Sequence, residues 1–141
     1  MALIDKAKLR AIFDLWAPMS LGADLIGIPS AIGAEAWNKT HPRNKKSVKA
    51  AYWAGTLSGA AGGYVMRNRM GPLMKSLANA SLGAEIGGLA FMGGAFIYNR
   101  IHPDNKKSLI KSNIAGTVAG AAGGVIAGSI LSSKMANGIR F

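Results

Sequence analysis

A ten-residue run, AGTLSGAAGG at Ala54–Gly63, returns as AGTVAGAAGG at Ala115–Gly124. Each copy follows a basic turn, HPRNKKS at His41–Ser47 and HPDNKKS at His102–Ser108. One shift of 61 residues superposes both features without a gap, and also brings Asp24 onto Glu85, Gly27 onto Gly88 and Asn38 onto Asn99. The repeating unit is therefore a whole helical hairpin, and such periodicity dictates the fold more strongly than any local propensity. Within the copies Gly55, Gly59 and Gly63 fall four apart, as do Gly116, Gly120, Gly124 and Gly128. Residues four apart share one face of a helix. A face bare of side chains lets another backbone approach closely, which is how helices associate in lipid.

Composition agrees with that solvent. Half of the 141 residues are hydrophobic, 16% are charged and 19 are glycine. In water each helical glycine costs about 1 kcal/mol against alanine. In lipid the backbone has no competing hydrogen-bond partner, so glycine is better tolerated. The spacing predicts an all-α protein: a four-span transmembrane helical bundle built from a duplicated hairpin and preceded by an N-terminal surface helix. The surface helix occupies 1–16, with Lys6, Arg10 and Asp14 as its polar stripe and Trp16 at headgroup level. The segment MALIDKAKLRAIFDLW does not read as a cleaved signal, because it lacks a continuous apolar core. The first hairpin covers 17–71, with spans at Ala17–Trp37 and Val48–Met66. Pro18 suits a helix start, and Pro29 should kink the first span. The second hairpin and a tail cover 72–141, with a short helix at Leu73–Ser81 and spans at Leu82–Tyr98 and Leu109–Leu131. Two crossings per unit give both copies one orientation and relate them by an axis along the membrane normal.

Seventeen Lys and Arg against six Asp and Glu give a formal charge of +11. That excess calls for an anionic partner, either lipid headgroups or nucleic acid. The predicted topology puts Lys45, Lys46, Lys49, Lys106 and Lys107 at one end, with Arg67 and Arg69 at the other. These are the candidate anionic-surface contacts. Basic residues are divided almost evenly between the two ends, so the positive-inside rule gives no orientation.

Asp24 and Glu85 are the candidate intramembrane acids. Such residues mark ion or proton paths by default. They also fit a hydrated or paired position, about 9 Å inside a span that begins at Pro18. Ser30, Ser58 and Thr117 are the few polar candidates to accompany them. His41 and His102 alone make a poor metal site, and a His-Pro pair more simply opens a turn. There is no Cys, no G-x-x-x-x-G-K-[ST] loop and no nucleophile–base arrangement. Neither enzymatic activity, nor a cofactor, nor a bound metal is expected.

In its glycine ladders, short basic turns and basic KAKLR helix, the chain resembles the small internal-membrane proteins of icosahedral, tailless, lipid-containing bacteriophages. That resemblance implies a structural protein of a virion membrane. It would contact the lipid bilayer, further copies of itself, a capsid protein on one face and nucleic acid on the other. The ladders can pack helices within one chain or join neighbouring chains into an oligomer. The rival expectation is a pore-forming, holin-like or small transporter subunit, with Asp24 and Glu85 lining a polar path in a bacterial inner membrane.

Overall fold

The computed structural model describes residues 6–136, and among them there is no strand. Four helices follow in order: α1 at Lys6–Thr40, α2 at Val48–Met66, α3 at Pro72–Ile101 and α4 at Leu109–Ala136. A single 3-10 turn at Arg67–Arg69 joins the two hairpins. Three helices, α1, α3 and α4, are long and apolar enough to cross a membrane. The expected fourth span, α2, is not among them; it has 19 residues, with Lys49 in its first turn and aromatic and glycine residues diluting its hydropathy.

Two boundaries differ from expectation. The surface helix and first span are one uninterrupted helix, α1, about 52 Å long at 1.5 Å per residue. Likewise Leu73–Ser81 and the third span are both part of α3. Pro18 is therefore interior, not a start. Its ring is buried, and its carbonyl faces the bare backbone of Gly63. A proline there removes one backbone hydrogen bond from the helix. The close fit against α2 holds the helix through it. The true Pro start is Pro72, at the first turn of α3.

The glycine ladders close each hairpin on itself. Along the first, Gly63, Gly59 and Gly55 meet Pro18, Gly22 and Ile26 of α1 in turn, so α1 and α2 run antiparallel. Along the second, Gly124, Gly120 and Gly116 meet Asn79, Gly83 and Gly87 of α3, and Gly128 meets the Asn79 side chain. A Cβ added at any of these seven positions would overlap the facing atoms. The contact of Thr56 with Gly27 recurs as Thr117 with Gly88. The ladder glycines thus serve the hairpin, and their face is not open to a neighbouring chain.

The hairpins meet through α1 and α3. Ala17, Leu21, Ala78 and Leu82 form the buried cluster there, and they are two repeat-matched pairs. Among the described residues α2 contacts neither α3 nor α4, and α4 barely touches α1. The helices therefore lie in the order α2–α1–α3–α4, and the expected bundle is not closed. The interior is small: Ala17 and Ala78 are 1% exposed, and among the described residues no bulky side chain is fully buried. The bulk faces outward, with Leu57, Leu89 and Val118 all more than 60% exposed.

Candidate membrane-embedded polar site and basic turns

Where α1 and α3 cross, two serines touch. Ser20 Oγ and Ser81 Oγ are 2.8 Å apart, and Ser81 donates to Asp24 Oδ2 at 2.6 Å. Ser20 in turn stands beside Glu85. Ser20 matches Ser81, and Asp24 matches Glu85, under the 61-residue shift. A residue can meet its own repeat mate only on the axis that relates the copies. The approximate two-fold axis therefore runs between the serines. Each acid lies one helical turn beyond the serine on its own helix and faces the serine of the other.

The position of this cluster along its helices also departs from expectation. On the continuous α1, Asp24 is about 15 Å from Asp14 and about 16 Å from Glu35 along the axis. It is central in an apolar stretch of roughly one bilayer core, about 30 Å. Glu85 is about 15 Å from Lys75 and about 22 Å from Arg100. The expected polar companions lie elsewhere: Ser30 against Gly55, Thr117 against Gly88, and Ser58 bonding back to the Gly55 carbonyl. The acids' partners are instead Ser20 and Ser81. Their signal is present in the chain, as matched serines four residues before matched acids.

The two basic turns have one construction. The Asn38 side chain accepts from the Lys46 amide at 2.6 Å and donates to the Lys46 carbonyl at 2.8 Å. Asn99 grips Lys107 with the same two distances. Trp37 stacks on His41 with centroids 3.8 Å apart, and Tyr98 on His102 at 4.4 Å. On these rings rest the ammonium groups, Lys46 at 4.3 Å and Lys107 at 4.2 Å. Ser47 then caps α2 through the Ala50 amide, and Ser108 accepts from the Lys111 amide at 3.3 Å. His41 and His102 are thus part of the turn packing. Of the expected anionic-surface contacts at this end, Lys45, Lys49 and Lys106 are exposed, while Lys46 and Lys107 fold over aromatic faces.

At the opposite end Arg69 is exposed. Arg67 folds over the Tyr64 ring at 3.9 Å and donates to the Tyr64 carbonyl. Lys6, Lys134 and Arg140 belong to this end by sequence; their side chains lie outside the described residues. Among the described residues no three His, Cys, Asp or Glu side chains gather as a metal would need.

No family model, curated protein or solved structure matches this chain. The reading of function accordingly rests on the geometry above.

Proposed function

We propose that this chain is a structural multi-pass membrane protein that assembles with copies of itself and holds anionic surfaces with its basic ends. The observation that carries this reading is the inverted distribution of bulk. Alanine, glycine and serine, with Leu21 and Leu82, fill the interior, while the other leucines, isoleucine and phenylalanine mostly cover the outside. In water such a surface would aggregate. In lipid it costs nothing, and close backbone contact supplies the stability.

The assembly surface lies beside the ladders, on faces they leave open. On α2 the exposed residues Ala54, Ser58, Ala61 and Gly62 form a second small-residue stripe; on α4 Ala115, Ala119, Ala122 and Gly123 repeat it. Both stripes lie on the two outer helices. One chain thus offers two similar edges, the valency that a chain-like or lattice-like array needs. The virion internal membrane, with a capsid protein and nucleic acid on its two faces, is the setting that the bacteriophage resemblance supports. The test is sedimentation in neutrally buoyant detergent. The wild type should form oligomers, and Ser58→Leu with Ala119→Leu should reduce them to monomers. A monomer at every concentration would contradict the proposal.

A second reading is favoured by one observation: the Asp24–Ser81–Ser20–Glu85 cluster at the middle of the apolar stretch. Acids with hydroxyl partners inside an apolar stretch are the usual material of a proton or cation path. A pore or transporter subunit predicts flux across liposomes that Asp24→Asn with Glu85→Gln abolishes. The structural reading predicts no flux in either protein.

A further inference from the structure

The repeat breaks down at one place. Beyond Ala17 and Ala78 the shift pairs Asp14 with Lys75 and Arg67 with Gly128. There α2 has ended, whereas α4 continues to Ala136. The shorter first hairpin leaves a cavity of about 270 Å³ between the two units. Its charged and amide lining is Arg10, Asp14, Arg67, Asn68, Lys75 and Asn79, with Ser132 beside them and Phe13 among its apolar residues. Three cations face one carboxylate, a net of two positive charges.

Asp14 does not exhaust these cations. It holds Arg10 through Nε alone, at 3.3 Å. The Arg10 Nη1 atom is shielded from solvent and has no hydrogen-bond partner. A guanidinium nitrogen without a partner loses its hydration with nothing in return. Two arginines and a lysine lining one polar cavity match a phosphate group best. The level of the cavity agrees, since Asp14 is about 15 Å from the central acid Asp24, half the thickness of a bilayer core.

We propose that this cavity binds a phosphate group, with Arg10, Arg67 and Lys75 as its cationic ligands and Asn68 and Asn79 as further donors. A phospholipid headgroup is one source of that chemistry and free phosphate is the other. The lipid source rests on the membrane reading above; the phosphate chemistry does not.

Native mass spectrometry of the full chain in nonionic detergent, titrated separately with phosphatidylglycerol, diacylglycerol and inorganic phosphate, tests it. Phosphatidylglycerol should be retained one per chain and diacylglycerol should not. Arg10→Gln with Lys75→Gln should weaken retention about tenfold or more, the loss expected for charge-assisted hydrogen bonds. Asp14→Asn should strengthen it, whereas Glu35→Gln, which removes the same charge at the other end of α1, should leave it unchanged. Inorganic phosphate binding with the same dependence on these variants would sustain the site and assign it to the free ion. Equal retention of diacylglycerol, or equal affinity in all variants, would overturn it. Release of the protein from membranes by alkaline washing would remove the membrane reading, and the inorganic phosphate arm would still decide the cavity.

Discussion

Ser20 and Ser81, equivalent residues of the two repeats, meet hydroxyl to hydroxyl at 2.8 Å. This contact fixes the register between the hairpins, because sliding α1 past α3 by one turn would separate the pair and strand the acids. The chain has no cysteine, which makes the register easy to probe. Ser20→Cys with Ser81→Cys should cross-link within one chain under mild oxidation, seen as faster migration on denaturing gels without a dimer band. A pairing at a shifted register would instead cross-link Ser20→Cys with Leu77→Cys.

The ladders predict an asymmetric response to similar substitutions. Gly59→Leu and Gly120→Leu force side chains into the backbones of Gly22 and Gly83. Each should cost about 1–3 kcal/mol, as overpacking does, measured by denaturant titration of helicity in detergent. Gly62→Ala and Gly123→Ala meet nothing within 4 Å. They should hold or raise stability, by up to about 1 kcal/mol each, since alanine favours the helix.

The turns should respond as a matched pair. Asn38→Ala and Asn99→Ala each remove two hydrogen bonds that hold a lysine backbone. Each loss should cost about 1 kcal/mol locally, these being exposed bonds. Trypsin cleavage after Lys46 or Lys107 should accelerate to a similar degree in the two variants. Strong acceleration in one turn alone would show that the matched geometry does not carry matched energy.

Much of this organisation is legible in the chain, because a repeat constrains distant positions together. Gly59 and Gly120 announce a close helix contact, and HPRNKKS and HPDNKKS announce matching turns. The partners are harder to read. The rows facing the ladders contain Pro18, Ile26 and Asn79 among their glycines, so no bare stripe stands out on α1 or α3. Pro18 imitates a helix start, which places Asp24 near an interface instead of mid-stretch. The open order of helices is not legible either. It depends on which of two small faces, Gly59 or Ser58 on α2, is covered, and both satisfy the same spacing. The cavity lined by Arg10, Arg67 and Lys75 arises where the repeat fails, at Arg67 and Gly128, and a repeat-based reading looks past such a position.

The position of the acids separates the two functional readings. Liposomes loaded with a pH-sensitive dye should hold a proton gradient equally well with the wild type and with the Asp24→Asn, Glu85→Gln variant. Dissipation by the wild type alone would favour the path over the scaffold.

The central claim is that bulky outward side chains lie in hydrocarbon while small residues hold the helices together. Spin labels at Leu89→Cys on α3 and Val118→Cys on α4, positions 64% and 67% exposed, test it most directly by collision with oxygen and with a water-soluble nickel complex in reconstituted bilayers. The account predicts frequent collision with oxygen and almost none with nickel at both sites. Ready access of nickel to either label would place those faces in water and contradict it.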